Sequence, residues 1–95
     1  MSGAIEVDLS GALSMRASFE RWDGVELVVS APLAAPPGAR LDAQLVDDAH
    51  LRFRMKAIRC RRRDDDRFEI TLRVLELSRA ARASLDALGN AGARP

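Results

Sequence analysis

Residues 51–77 read LRFRMKAIRCRRRDDDRFEITLRVLEL, two runs of alternating apolar residues on either side of a charged cluster at residues 61–67. Alternation with a period of two is typical of β-strands that bury one face. We therefore predict a long β-hairpin with a charged tip. The alternation shifts phase near Ala57, which predicts a β-bulge there. A second shift, near Leu75 and Leu77, is consistent with another bulge or with burial on both faces.

The residues before this hairpin predict four shorter strands, at residues 4–9, 13–20, 25–29 and 41–46. Between the second and third of these strands stands Asp23-Gly24, which predicts a tight hairpin turn because glycine accepts a positive φ. Residues 31–40 contain three prolines and a glycine. Because proline cannot donate a ladder hydrogen bond, this segment is predicted to be a loop that crosses between parts of a sheet.

After the hairpin the sequence predicts one helix, with Ser78 as its N-cap and Gly89 as the residue that ends it. Together these elements predict an all-β fold with one helix: a small antiparallel six-stranded β-barrel with a C-terminal α-helix packed against an open end or side. The domain is predicted to occupy residues 1–89. Residues 90–95 are predicted to form a flexible tail.

The composition is that of a soluble globular domain, since 47% of the 95 residues are hydrophobic and 31% are charged. The formal net charge of +1 argues against bulk attraction to nucleic acid or membranes, so that only a local patch could supply it. We find neither a signal peptide nor a membrane span in the sequence. A cytoplasmic location is therefore the expectation.

The sequence offers little material for catalysis. One cysteine, Cys60, and one histidine, His50, give neither a metal cluster nor a nucleophilic pair. There is no glycine-rich phosphate loop, and no pair of carboxylates can be assigned to a pocket. We expect a protein that is not an enzyme.

Arg52, Arg54 and Lys56 alternate with apolar residues and form a cationic row on one strand face, which Arg73 joins if the hairpin register allows. Such a row can follow phosphates in small nucleic-acid-binding barrels, but those sites interleave aromatic residues for base stacking. Aromatic residues make up only 4% of this chain, which argues against nucleic acid. Trp22, beside the predicted turn, either caps the core or marks an interface.

Residues 24–41, GVELVVSAPLAAPPGARL, resemble the segment of PilZ domains in which a glycine, an apolar strand, a Pro-Leu loop and a Pro-x-Gly turn lead to the next strand. Residues 67–77 are similar to a later strand of that family, and the helix at residues 78–88 matches its terminal helix in place and length. The resemblance covers residues 13–88. It implies a six-stranded β-barrel with a C-terminal helix and, as the family activity, binding of the bacterial second messenger cyclic di-GMP.

Two motifs carry nucleotide binding in that family: Arg-x-x-x-Arg before the barrel and (Asp/Asn)-x-Ser-x-x-Gly on an early strand. Here no arginine precedes Arg16, and in the register fixed by Gly24 only that glycine of the second motif is present. Arg59, Arg63 and Arg67 repeat the arginine spacing, but at the hairpin tip. The resemblance therefore implies a non-enzymatic bacterial regulatory module in motility or surface assembly that acts through protein–protein contact, with cyclic di-GMP binding lost or weak.

Two alternatives remain. The first is a true cyclic di-GMP receptor with non-standard arginines, and the second is a small nucleic-acid-binding barrel. The candidate nucleotide-binding residues are Arg59, Arg63, Arg67 and Gly24. The candidate interaction surface consists of Trp22, Arg52, Arg54 and Lys56. A protein partner or a second copy of the chain is expected, and no cofactor is expected unless cyclic di-GMP binds.

Overall fold

The computed structural model describes residues 5–45 and 48–92. These residues form strands β1 Glu6–Gly11, β2 Met15–Trp22, β3 Glu26–Ala31, β4 Arg40–Leu45, β5 Asp48–Arg62 and β6 Phe68–Glu76, and helix α1 Arg79–Gly92. The strands close into a barrel in the order β1-β2-β3-β6-β5-β4, and every pairing is antiparallel. The predicted fold class is confirmed.

The β5–β6 hairpin contains both predicted phase shifts. The register shifts between Ala57 and Arg59, which leaves Ile58 as the extra residue of a bulge and confirms that prediction. A second shift leaves Leu75 as the extra residue on β6, and its side chain is 44% exposed. This shift is therefore another bulge and not burial on both faces. Because bulges bend and twist strands, both help the sheet to curl into a barrel.

Alternate residues of all six strands point into the barrel and form one core. Its largest fully buried side chains are Val7, Leu9, Leu27, Val29, Leu41, Met55, Ile70, Leu72 and, from α1, Leu85. The helix covers the end of the barrel at which β2 finishes, through Ala81 and Leu85. The loop between β3 and β4 contributes Ala35, which is only 1% exposed, to the same core. Fully burying one leucine side chain contributes about 1.5–3 kcal/mol.

The helix begins as predicted and ends later than predicted. The hydroxyl of Ser78 accepts a hydrogen bond from the backbone N–H of Ala81 at 3.1 Å, so Ser78 is the N-cap. The helix runs to Gly92, and the prediction that Gly89 ends it is wrong. A glycine inside a helix costs only about 1 kcal/mol relative to alanine, so it weakens a helix without forcing its end. Residues 90–92 are thus helical.

The turn between β2 and β3 forms at the predicted Asp23-Gly24 pair. The backbone N–H of Asp23 donates to the carbonyl of Glu26 at 3.2 Å, and Gly24 has a φ of 100°. Val25, which we predicted to be the first residue of the third strand, lies in this turn instead and is 57% exposed. The strand begins one residue later because the two central turn positions are taken by Gly24 and Val25.

Parts of two predicted strands and of the predicted tail lie outside the described residues, namely residues 4, 46 and 93–95. None of the helices among the described residues is long and apolar enough to cross a lipid bilayer.

Candidate functional site

Two of the arginines at the hairpin tip hold neighbouring strands. Arg63 forks onto both carboxylate oxygens of Glu20 on β2, at 2.5 Å each, and reaches Glu69 at 3.3 Å. The hydrogen bond to Glu20 raises the pKa of Arg63 above its ordinary value. Arg67 donates to the hydroxyl of Ser30 on β3 at 2.6 Å and to its carbonyl at 2.8 Å. These guanidinium groups therefore fasten the hairpin tip to the barrel.

The four candidate nucleotide-binding residues do not meet in one place. Gly24 lies before the start of β3, next to α1, where its carbonyl accepts a hydrogen bond from Arg82 at 3.1 Å. Arg67, by contrast, contacts Ser30 near the end of β3. Arg59 is exposed on the outer face of β5, opposite Thr71 of β6. Gly24 is therefore remote from the hairpin tip, whereas the backbone N–H of Arg63 donates to the carbonyl of Arg67 at 2.7 Å.

Trp22 is a core residue at the helix-covered end of the barrel. Its side chain is 7% exposed, and its indole N–H donates to the carboxylate of Asp86 on α1 at 2.8 Å. Of the two roles that the sequence left open for Trp22, the structure shows that this side chain caps the core. As a member of the candidate interaction surface, Trp22 offers almost no area to a partner, because α1 lies over it.

The predicted row of Arg52, Arg54 and Lys56 does face outward from β5. Arg52 donates to the side chain of Gln44 at 3.1 Å, and Arg54 contacts the carboxylate of Asp42 at 3.3 Å. The two arginines line a shallow groove of about 430 Å³ that also contains acidic side chains. Arg54 is therefore paired with an acidic neighbour, whereas the partner of Arg52 is a neutral amide.

The middle of β5 has a different charge environment. Lys56 lies directly between Arg40 of β4 and Arg73 of β6, so the register allows Arg73 to join the row. The bulge at Ile58 turns Arg59 onto the same outer face. We call Arg40, Lys56, Arg59 and Arg73 the cation cluster. Among the residues whose side chains the structure describes, 5–45 and 52–87, only Arg73 of these four has an acidic partner, Glu26 at 3.4 Å.

Sequence reasoning missed Arg40 as a member of this cluster, because it was assigned to the preceding loop. No local signal identifies it, since its position opposite Lys56 follows from the β4–β5 register. Glu20 and Ser30, which hold the hairpin tip, were also missed, because their contacts likewise depend on how distant strands pair. All three contacts join residues that are distant in sequence.

An exposed groove lies where α1 begins, beside the start of β3 and the end of β6. It has a volume of about 280 Å³. Four aliphatic residues, Val25, Val74, Leu75 and Leu77, line it together with Gly24 and Arg82, and we call the four aliphatic residues the apolar groove. Val25 and Leu75 are 57% and 44% exposed, which places two of the exposed large hydrophobic side chains side by side. The phase shift at Leu75 was the sequence signal for this groove, and the turn position of Val25 was missed.

No group of three or more histidine, cysteine, aspartate or glutamate side chains that could hold a metal ion occurs in the described part of the chain. Cys60 is a free cysteine that packs, partly buried, against the core.

Comparison of the chain with models of protein families, with curated proteins and with solved structures finds no match in any of the three.

Proposed function

We propose that this chain is a non-enzymatic, PilZ-like bacterial regulatory module that acts through contact with a protein partner and in which cyclic di-GMP binding is lost or weak. The observation that carries the proposal is the apolar groove. Val25 and Leu75 are exposed next to one another, and Val74 and Leu77 extend the same surface. Adjacent exposed apolar side chains give a partner a surface whose burial is favourable.

The environment of the tip arginines supports the second half of the proposal. A guanidinium that binds a nucleotide must present its donors to phosphate or guanine. Arg63 directs both of its terminal nitrogens to Glu20, and Arg67 directs its donors to Ser30. Release of the Arg63 contacts would leave Glu20 without its cation, so nucleotide binding there would cost barrel stability.

Site-specific photo-crosslinking in cells tests the proposed contact surface. A photoreactive amino acid is placed at Leu75, in the apolar groove, and separately at Leu33. Leu33 is the matched control, because it is also a large hydrophobic residue and is 52% exposed, but it lies in the loop before β4. We expect position 75 to crosslink to a discrete protein, and we expect position 33 not to crosslink to that protein. Absence of any crosslink specific to position 75 would contradict the proposal.

Calorimetric titration with cyclic di-GMP tests the receptor alternative. The proposal predicts no saturable heat at micromolar nucleotide. Micromolar or tighter binding that disappears in Arg59→Ala or Arg63→Ala would favour a true receptor. The matched control is Arg62→Ala, because Arg62 lies at the same tip but contacts only Asp66 there, in an exposed ion pair.

A further inference from the structure

We infer that the partner presents an acidic segment next to its apolar anchor, so that apolar side chains fill the apolar groove while carboxylates bind the cation cluster. The inference rests on the proposed function, because it names the chemistry of the partner at that same surface.

The cation cluster is an unbalanced charge arrangement in the isolated chain. Arg40, Lys56 and Arg73 occupy directly opposed positions on three adjacent strands. Opposed side chains in antiparallel strands have Cβ atoms about 4.5–5.5 Å apart, and like charges at that spacing repel each other. A row of three cations beside the single carboxylate of Glu26 therefore costs stability unless a further anion is bound.

The acidic side chains nearest to the cluster are already engaged by other cations. Asp42, which follows Arg40 on the outer face of β4, contacts Arg54 at 3.3 Å. Glu69, two residues before Thr71 on β6, contacts Arg61 at 2.8 Å and Arg63 at 3.3 Å. Among the described residues, Glu26 alone reaches the cluster. An external anion thus has free cationic donors to bind.

The cation cluster and the apolar groove lie next to one another along β6. Arg73 immediately precedes Val74 and Leu75 on β6, and its partner Glu26 immediately follows Val25. The backbone N–H of Val74 donates to the carbonyl of Val25 at 3.3 Å, which fixes these two parts of the groove together. An extended segment of the partner that packs its apolar side chains against Leu75 therefore places its next residues close to Arg73 and Lys56.

The surroundings of the cluster favour carboxylates of a peptide over phosphates of a nucleic acid. Binding of single strands relies on exposed aromatic rings that stack on bases. In this chain Phe53 and Trp22 are buried in the core, and Phe19 and Phe68 pack against it. The neighbouring groove is aliphatic instead. Because the barrel is closed, a partner segment cannot add a strand at a free edge and must bind through side chains on the outer face.

Selection of short random peptides displayed on phage, against the full chain, tests this inference. The affinities of enriched peptides are then measured by fluorescence polarisation with the wild-type chain and with Leu75→Asp, Lys56→Glu and Arg62→Glu. Arg62→Glu is the matched charge-reversal control, because Arg62 is an exposed arginine at the end of the same strand but outside the cation cluster. A labelled oligothymidylate is titrated in parallel.

We expect enriched peptides to place aspartate or glutamate beside a pair of apolar residues. Lys56→Glu should weaken them by roughly tenfold or more, and Arg62→Glu by less than about twofold. Their affinity should also fall as salt is added. Enriched peptides that are neutral or basic but still require Leu75 would overturn the inference and leave the proposed function standing. Failure to enrich any peptide that depends on Leu75 would contradict both. Oligothymidylate that binds the wild-type chain and is lost in Lys56→Glu would assign the cluster to phosphates and overturn the inference.

Discussion

Replacement of Leu85 by alanine should reveal how firmly α1 closes the barrel. The Leu85 side chain is fully buried in the core, and among the described side chains of α1 the only other one buried there is the small Ala81. Leu→Ala changes at such sites cost about 2–5 kcal/mol, the loss increasing with the cavity that remains. Leu85 lies at the end of the barrel, where the helix can move partly into the cavity, so we expect the free energy of unfolding to fall by about 3 kcal/mol. For a domain of this size that lowers Tm by roughly 12–24 °C.

Urea unfolding followed by tryptophan fluorescence measures this change, because Trp22 is the only tryptophan and contacts α1 through Asp86. The control is Leu33→Ala, whose side chain is 52% exposed and whose loss should alter the free energy of unfolding by less than about 0.5 kcal/mol. If Leu85→Ala cost no more than Leu33→Ala, α1 would not be docked on the barrel. The apolar groove, which lies where that helix begins, would then not be formed as described.

Three further predictions concern the turns and the hairpin tip, and the same urea titration measures each of them. Arg63→Ala should cost about 1 kcal/mol, because its forked, half-buried carboxylate contacts are lost, whereas Arg62→Ala, in an exposed pair, should cost less than about 0.5 kcal/mol; equal costs would contradict the fastening role. Gly11→Ala should lower the free energy of unfolding by about 1–3 kcal/mol, and by more than Gly24→Ala does. Both glycines have a positive φ, but a Cβ at Gly11 would lie 2.8 Å from a β4 carbonyl oxygen, while a Cβ at Gly24 meets open space. A larger loss in Gly24→Ala would contradict the β1–β4 closure. Backbone N–H groups of the β2–β3 turn lower the pKa of Asp23 from its ordinary value of 3.8. Its carboxylate therefore stabilises the fold above pH 3.8, and this contribution is lost as the pH falls through the lowered pKa. Asp23→Asn should be less stable than wild type at neutral pH and equally stable in acid, and a difference in stability that does not change with pH would contradict this assignment.

Much of the barrel follows from local patterns. Alternation defined the β5–β6 hairpin, and the break near Ala57 located a bulge because an extra residue reverses the inward and outward positions. The same logic applied to Leu75, whose exposure distinguishes a bulge from burial on both faces. The end of α1 was harder to predict from the sequence. The free energy that Gly89 costs in a helix is small compared with the packing energy that holds the helix on the barrel.

The candidate surface could be predicted only in part, because it depends on contacts between distant residues. The sequence shows that Lys56 faces outward, but the cation cluster exists because strand register brings Arg40 and Arg73 to either side of it. Similarly, the sequence shows an arginine-rich tip, but which arginines are fastened to the barrel depends on Glu20 and Ser30 in other strands. Pairings of this kind are set by barrel closure and not by local propensity.

The most direct test of the central claim is the affinity of the purified partner, identified by crosslinking at position 75, for three forms of the chain. The forms are the wild type, Leu75→Asp in the apolar groove and Leu33→Asp in the distant loop, and both altered side chains are exposed in the folded chain. We predict that Leu75→Asp weakens binding at least about tenfold, equivalent to about 1.4 kcal/mol, while Leu33→Asp leaves the Kd unchanged. Equal affinity of all three forms, or a larger loss in Leu33→Asp, would contradict the claim that this module acts through the apolar groove.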